Sequence, residues 1–337
     1  MLLYERMKIQ WYRSARPLTR AIKPSFSRRV RNWLRDRLPD PDVRGRTLVL
    51  HARQAFLRRS AWAGFFSEFH SVLGALAYAE RRGAAGVRVD FRSPLYLDPA
   101  RGPNWWTYYF ERDDMPLPGR TSAGDVQLDG AFAKYGRHGG FCDEVNGATP
   151  YLYPMTYGIA RDDLHRLLRA HVRVRGDIVA DAERRVAASF EPGAFVVGVH
   201  YRGTDSTHGP LGRLFDYRSF RVPYESYADE VQAALDARSL RAYQIAIATD
   251  EAPFIAFMRQ RFGDRIVYVE GAPRASAGGK AIHLDDSLPV SNYEKGRSAL
   301  VDALLLASTH YLVKGRSNVS DASLVFNPRL PYSFCVH

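Results

Sequence analysis

Three clusters of polar side chains in the C-terminal half each follow an apolar stretch. The first is HYRGTD at residues 200–205, in which His200 and Arg202 share one face of an extended chain. An arginine at this place can bind a diphosphate bidentately and stabilise it as a leaving group. Gly203 would let the backbone pass close to a ligand. The alternative is a surface arginine that pairs with Asp205.

The second and third clusters offer carboxylates and a helix start. In ATDE at 248–251, Asp250 either caps the following helix or accepts hydrogen bonds from a nucleotide. Asp302 stands within an apolar helix, where a carboxylate needs a partner or a ligand because burying it alone is costly. In KGRSNVS at 314–320, Ser317 begins a helix. The free N–H groups of a helix start bind phosphate, and simple N-capping is the alternative.

These clusters lie at the ends of strands in a regular alternation of strands and helices. We predict strands at 194–201, 243–249, 265–269 and 310–314, and helices at 224–237, 251–262, 294–308 and 317–326. Such alternation is typical of a doubly wound parallel sheet. Ligands of these sheets bind beyond the carboxyl ends of the strands, which is where the clusters stand.

The N-terminal half also begins as an α/β unit. We predict a strand at 47–51, a helix at 64–81 that ends before Gly83, a strand at 85–91, irregular structure from 94 to 157, and two helices over 161–190 with a break at Gly176. The aromatic run at 103–110 predicts buried anchors of a loop, with a sugar-binding platform as the alternative.

Size and composition fit a two-domain globular protein of 337 residues. We predict a basic segment at 1–46, an N-terminal α/β domain at 47–175 and a C-terminal Rossmann-like domain at 176–337. The charged start and the lack of a long apolar run predict a cytoplasmic protein. Cys142 and Cys335 are too few for a disulfide framework or a cysteine-rich zinc site.

The net charge of +12 favours an anionic partner. A phosphorylated substrate and an anionic membrane surface both fit, whereas nucleic acid is disfavoured because no recognition motif occurs. The arginines between residues 28 and 59 either form a solvated surface or, with Trp33 nearby, an interfacial helix. Peripheral association with the inner membrane is therefore an alternative to a freely cytoplasmic protein.

Together, the order and spacing of the three clusters resemble the three motifs of the GDP-fucose-dependent fucosyltransferases. That superfamily includes α-1,6-fucosyltransferases, nodulation fucosyltransferases and protein O-fucosyltransferases. The resemblance covers about residues 196–327: HYRGTD is similar to the first motif, ATDE to the second, and LVDALLLAS with GRSNVS to the third. It implies a GT-B fold, with two Rossmann-like domains facing a cleft and the GDP-sugar held by the C-terminal domain without metal.

The resemblance also implies roles for individual residues. Arg202 would bind the diphosphate, Asp250 would face the nucleotide and Asp302 the guanine. The full set of donor-binding residues is then His200, Arg202, Gly203, Asp250, Asp302, Arg316, Ser317 and Asn318. Arg274 and His283, in the loop between the second and third motifs, would add contacts.

The catalytic base stays open. In the family the motif aspartate is often followed by a lysine and then by a glutamate proposed as the base, but here residues 206–210 read STHGP. The candidates for the base are Asp205, His208 and Glu68. Arg202 is the other predicted catalytic residue, because it would neutralise the charge that develops on the diphosphate. Glu68 lies on the predicted helix at 64–81, and its alternative role is that of a solvated helix carboxylate.

These inferences predict an inverting, metal-independent transferase that moves fucose from GDP-fucose to a bacterial glycan or lipid-linked glycan in polysaccharide biosynthesis. No cofactor is expected beyond the GDP-sugar donor. No DxD triplet stands at a strand end, and neither GxxxxGK[ST] nor a GxGxxG after a strand occurs. The alternatives are a GT-B transferase that uses another nucleotide sugar and a non-catalytic module that binds anionic glycan or membrane.

Overall fold

The computed structural model describes residues 42–52, 54–55, 58–62, 64–129, 159–204, 222–277, 279–315 and 317–335. The basic segment predicted at 1–46, with most of its arginines, lies almost entirely outside these residues. Within the described ranges, no helix is both long enough and apolar enough to cross a membrane.

The N-terminal half is built on a mainly parallel sheet. Its strands are β1 (Thr47–His51), β4 (Gly86–Asp90), β5 (Asp114–Pro116) and β6 (Asp125–Asp129). Between β1 and β4, strands β2 (Gln54–Ala55) and β3 (Arg58–Trp62) form a separate antiparallel pair. The sheet order is β5-β4-β1-β6, with only β5 antiparallel to its neighbour. Strands β1 and β4 confirm the prediction. Strands β5 and β6 lie in the range that was predicted to be irregular, so they correct that prediction. Both strands are short and begin with an aspartate, and their sequences therefore show little strand pattern.

Helix α1 (Phe65–Arg82) packs against this sheet and is buried over most of its length. Its apolar residues recur at helical spacing, as predicted from the sequence. Gly83 ends the helix with a left-handed backbone (φ 75°). The Ala84 amide then donates to the Ala79 carbonyl at 3.0 Å, which satisfies one of the carbonyls left free at the helix end.

The aromatic run anchors the core of the N-terminal half. Trp105 and Trp106 are fully buried, and the ring of Trp106 stacks on Phe110 with 3.9 Å between centroids. Each indole N–H has a partner: Trp105 donates to the Ser93 hydroxyl and Trp106 to the Arg112 carbonyl. The prediction of buried loop anchors is confirmed, and these rings are not available as a sugar-binding platform.

The C-terminal half contains a five-stranded sheet in which every neighbouring pair is parallel. Its strands are β7 (Phe195–Tyr201), β8 (Tyr243–Thr249), β9 (Ile266–Tyr268), β10 (Tyr311–Lys314) and β11 (Tyr332–Phe334), in the order β11-β10-β7-β8-β9. The chain runs outward from β7 to β9 and then returns to the other side of β7. The strand order therefore reverses between β7 and β10. The α/β class and the two parallel sheets expected of the GT-B architecture are confirmed.

Helices cover both faces of the second sheet. After α1 the helices of the described residues are α2 (Arg161–His171), α3 (Gly176–Ser189), α4 (Tyr224–Asp236), α5 (Ala252–Phe262), α6 (Asn292–Ala307) and α7 (Asn318–Phe326). Helices α4 and α5 pack on one face, and α6 and α7 on the other. The predicted break between two helices at Gly176 is confirmed, since α3 begins there.

The two halves share one hydrophobic core. Apolar residues of α6 and α7, including Leu300 and Val325, belong to the same buried cluster as α1 and the first sheet. The Tyr109 hydroxyl donates to the Tyr293 carbonyl at 2.9 Å, and the two rings stack with 5.5 Å between centroids. The domain boundaries at 46/47 and 175/176 stay predictions.

We expect Gly296→Ala to destabilise the fold, because a methyl group on Gly296 of α6 would overlap the hydroxyl of Tyr109. The free energy of unfolding, measured with urea, should fall by about 1–3 kcal/mol, the usual effect of overpacking a core. Adding Tyr109→Phe, which removes the hydroxyl, should recover part of the loss.

Gly176→Ala is the matched control. Gly176 also lies in a helix, but open space surrounds the position of its added methyl group. Alanine is the better helix former, so this variant should be neutral or slightly more stable. Equal losses in both variants would show that Tyr109 does not constrain α6.

Candidate functional site

The first and third motifs flank the point where the strand order of the second sheet reverses. His200 lies near the end of β7, and it pairs in register with Lys314, the last residue of β10. Gly315 and Ser317 then lead into α7. In open α/β sheets, ligands bind in the crevice outside the carboxyl ends of the strands at such a switch point.

His200 is a buried, neutral imidazole at this switch point. Its side chain is 6% exposed. Burial lowers its pKa to about 3, and the positive charges of Arg202 and Lys314 add to this effect. Among the described residues its Nδ1 atom has no hydrogen-bond partner. A buried polar atom without a partner is costly, which points to a ligand.

Asp250 fixes the turn that follows β7. Its carboxylate accepts from the Gly203 amide at 2.9 Å, from the Thr204 amide at 3.4 Å and from the Thr204 hydroxyl at 2.5 Å. The expectation that Asp250 caps α5 is wrong, because Glu251 occupies the N-cap position. Asp250 thus orients the backbone beside Arg202. Its direct contact with a nucleotide stays a prediction.

Gly203 is required by a neighbour that the sequence analysis did not single out. A Cβ atom on Gly203 would overlap the carboxylate of Glu251. Glu251 is fully buried and accepts a hydrogen bond from the Tyr224 hydroxyl at 2.6 Å. The close approach predicted for Gly203 is therefore to this carboxylate. The only sequence signal for Glu251 was its place beside Asp250 at a strand end.

The start of α7 forms the other side of the switch point. Ser317 is the N-cap, and its hydroxyl accepts from the Val319 amide at 3.2 Å. The buried Oδ1 atom of Asn318 has no partner among the described residues. From α1, His70 reaches the Asn318 carbonyl, with 3.4 Å between Nε2 and the oxygen. Burial lowers the pKa of His70, so it contacts this helix start as a neutral ring.

Asp302 and Arg274 form a second group of ionisable side chains near Asp250. Burial raises the pKa of Asp302 to about 7, Arg274 and Arg185 oppose this effect, and Asp250 adds to it. The Arg274 guanidinium donates to two carbonyls of its own loop, while its buried Nε atom has no partner among the described residues. A carboxylate that is held half protonated near neutral pH is typical of a binding or catalytic site.

Residues of the N-terminal half reach the same region. Glu68, in the first turn of α1, is 1% exposed, so the expectation of a solvated carboxylate is wrong. Burial raises the pKa of Tyr96, and the charges of both Arg202 and Glu68 act on it. The Tyr96 hydroxyl accepts from the Phe65 amide at 2.8 Å. Tyr96 therefore lies within range of the charges of both Arg202 and Glu68.

His283 also lies at the start of α1. A Cβ atom on Gly64 would stand 3.8 Å from the Tyr96 hydroxyl and 3.9 Å from the His283 ring. Three other predicted site residues, Asp205, His208 and Arg316, lie outside the described residues. Within the described ranges, no group of three or more His, Cys, Asp or Glu side chains is arranged to hold a metal ion.

Comparison with known proteins gives matches among solved structures. No protein-family model and no curated protein sequence matches the chain. NodZ alpha-1,6-fucosyltransferase soaked with GDP-fucose aligns at 19% identity over 85% of this chain and 94% of its own, with a TM-score of 0.48. Fucosyltransferase NodZ from Bradyrhizobium aligns at 18% identity over 85% and 94%, with a TM-score of 0.47. POFUT1 in complex with GDP aligns at 9% identity over 89% and 100%, with a TM-score of 0.43.

The two NodZ neighbours are named as fucosyltransferases. They belong to the class of enzyme that the three motifs resemble. With identities below 20% and TM-scores below 0.5, the structural likeness carries no argument about the function of this chain.

We expect Asp302→Asn to stabilise the protein at pH 8. The pKa of Asp302 in the folded state, about 7, lies above the ordinary 3.8, so the folded state binds the extra proton between these values. The contribution of Asp302 to stability therefore falls as the pH rises from about 4 to about 7. Asparagine resembles the protonated acid. The gain in free energy of unfolding should be small near pH 4 and reach on the order of 2 kcal/mol at pH 8.

Asp181→Asn is the comparison of opposite sign. Burial acts to raise the pKa of Asp181, but hydrogen bonding and charge from Arg185, with Arg297 and Arg184, lower it overall. Its stabilising effect is present above its unfolded pKa, so Asp181→Asn should lower stability at pH 8. If Asp302→Asn also lowers stability at pH 8, Asp302 is a structural ion-pair partner and not a group held for a ligand.

Proposed function

We propose that the chain is an inverting, metal-independent glycosyltransferase that takes fucose from GDP-fucose. The observation that carries the proposal is that two elements lie at the same edge of the second sheet. One is the end of β7 with His200 and Arg202, and the other is the start of α7 after β10. These elements flank the switch point of a parallel sheet. Ligands of such sheets bind at this place, and the residue types present suit a nucleoside diphosphate.

Two features would bind the diphosphate. Arg202 follows β7 on a turn that Asp250 holds by hydrogen bonds to the next two residues. The first N–H groups of α7, beside the Ser317 cap, have no carbonyl partner within the helix and carry the positive end of its dipole. A guanidinium and a helix start together neutralise the charge that develops on a departing diphosphate. No metal ion is needed for this in the proposal.

Asp302 would select the base. An ionised carboxylate can accept from both the ring N–H and the amino group on one edge of guanine. Uracil offers a single donor on the corresponding edge, and adenine places an acceptor there. The partly buried position of Asp302 supports this role, because a hydrogen bond to a charged acceptor is stronger away from water.

The chemistry would be a direct displacement at the anomeric carbon of the sugar. The acceptor oxygen forms the new bond, the bond to the diphosphate breaks, and the electron pair leaves with GDP. A base removes the proton of the acceptor hydroxyl. Among the candidates for that base, Glu68 lies in the described part of the chain. Glu68 lies one helical turn after Phe65, whose amide donates to the Tyr96 hydroxyl, and the charges of both Glu68 and Arg202 act on the pKa of Tyr96.

The acceptor in this proposal is a bacterial glycan or a lipid-linked glycan, and the protein acts in the cytoplasm or at the inner face of the membrane. The net charge of +12 supports an anionic acceptor or an anionic lipid surface. In this proposal the domain at residues 47–175 binds the acceptor, and the domain at residues 176–337 binds the donor.

We expect calorimetry in EDTA to show selective binding of GDP over UDP and ADP. Arg202→Ala should weaken GDP binding by about 30- to 100-fold, the loss of a charge-assisted bidentate contact. Arg166→Ala, which removes an ion pair with Glu80 at the far end of α1, is the control and should change nothing. A preference for UDP would contradict the assignment of GDP-fucose as the donor and favour another nucleotide sugar. Binding of none of the three nucleotides would favour a non-catalytic protein that binds anionic glycan or membrane.

The affinity for GDP should rise with pH through about 7, because Asp302 must lose its proton to accept both guanine donors. The terminal phosphate of GDP also ionises near this range, so the matched variant Asp302→Asn is measured alongside. The variant should bind more weakly at pH 8 and show a smaller pH dependence. An identical pH dependence in both proteins would exclude contact between Asp302 and the base.

We expect Glu68→Gln to lower the rate of fucose transfer by about 10²- to 10⁴-fold, the usual contribution of a general base, with the affinity for GDP unchanged. Transfer of labelled fucose from GDP-fucose is measured on the glycan acceptor that a screen identifies. Ser71→Ala is the control, since it removes a 3.2 Å hydrogen bond to Glu68 but keeps the carboxylate. A rate within tenfold of wild type would assign the base to Asp205 or His208.

A further inference from the structure

A buried ion pair joins the end of β10 to the first turn of α7, next to the proposed diphosphate site. Lys314 Nζ contacts Asp321 Oδ1 at 2.5 Å, and the two side chains are 1% and 8% exposed. The rings of Tyr332 and Phe334 lie 5.6 and 5.1 Å from the ammonium group. The sequence analysis assigned no role to either charged residue, although a lysine that ends an apolar strand was a visible signal.

Both charges act on the groups that form the site. Lys314 is the register partner of His200, and its charge contributes to the lowered pKa of that ring. Asp321 lies in the first turn of α7, four residues after the Ser317 cap, and its charge acts on the pKa of His70. The pair therefore connects the ends of β7 and β10 to the helix start.

The position of Asp321 is unfavourable for a phosphate-binding helix. A carboxylate in the first turn stabilises the helix itself through the dipole. The same charge would repel an anion bound at the helix start. Lys314 offsets this repulsion because it places a positive charge against the carboxylate. Stability alone does not explain the pair, since apolar residues of similar volume often replace buried ion pairs without loss.

We infer that Lys314 and Asp321 are positioning residues that set the electrostatic potential of the diphosphate site at the start of α7. The inference rests on the proposed function. It adds two residues that contact neither the guanine nor the sugar of the proposed donor. Asp321 keeps the helix start in place, and Lys314 keeps that start attractive to an anion.

The two single variants separate this role from a purely structural one. Lys314→Met leaves a buried negative charge near the phosphates, so GDP affinity should fall at least about tenfold, the effect of one charge at short range in an effective dielectric of about 20. Asp321→Asn leaves the positive charge, so GDP affinity should be unchanged or higher even though the melting temperature falls. A structural role predicts weaker binding in both.

Calorimetry with GDP, guanosine and inorganic pyrophosphate tests the inference on the full chain. Guanosine lacks phosphates, so its affinity should change less than threefold in either variant. The exposed pair of Arg166 and Glu80 supplies the controls Arg166→Met and Glu80→Gln, which should leave GDP binding unchanged. If Lys314→Met does not fold, Asp321→Asn decides alone. Weaker GDP binding in that variant, or parallel losses for guanosine and GDP, would overturn the inference.

The wild-type protein separates the two proposals. Binding of pyrophosphate without selectivity for GDP overturns the proposed donor but leaves a diphosphate site, and the same variants are then compared with pyrophosphate. Binding of neither GDP nor pyrophosphate overturns both. The double variant Lys314→Met/Asp321→Leu should recover melting temperature, and its GDP affinity should lie between those of the single variants.

Discussion

The parallel register around β7 is the constraint on which the rest of the site depends. His200 stands opposite Ala248 of β8 on one side and Lys314 of β10 on the other. The three strands therefore end at one level, and the segments that follow them must share one edge of the sheet. The carboxylate of Asp250 then fixes the first of these segments, since it accepts from two consecutive backbone amides. A shift of one strand would separate the motifs.

Burial shifts the pKa values of ionisable groups at the candidate site away from their ordinary range. The charge of Arg185 acts on the pKa values of both Asp181 and Asp302. Asp181 accepts hydrogen bonds from three arginines, and its pKa falls. Burial dominates at Asp302, and its pKa rises. Burial, with the charges of Arg202 and Lys314, likewise lowers the pKa of His200 and keeps its ring neutral. Groups in such environments reduce stability, so their presence together at a switch point is better explained by ligand binding than by folding.

The sequence was most informative where apolar periodicity was long and regular. The predicted bounds of the helices in the C-terminal half agree with the structure within two residues, because apolar residues recur along most of the length of each helix. The strands β2, β3, β5, β6 and β11 were missed, since two to five residues carry little periodic pattern. The strand-end position of the motifs was predictable. The direction of the Asp250 side chain and the burial of Glu68 were not, because both depend on contacts between residues far apart in the chain.

The proposed donor site is not contained in the C-terminal half alone. His70 of α1 contacts the Asn318 carbonyl at the start of α7. Apolar residues of α6 and α7 complete the core around α1. Tyr96 satisfies the Phe65 amide, which no side chain of the N-cap residue Gly64 can do, and its own pKa responds to Arg202. The start of α1 and the elements proposed to bind the diphosphate are therefore positioned by the same packed contacts, so the N-terminal half also shapes the proposed donor site.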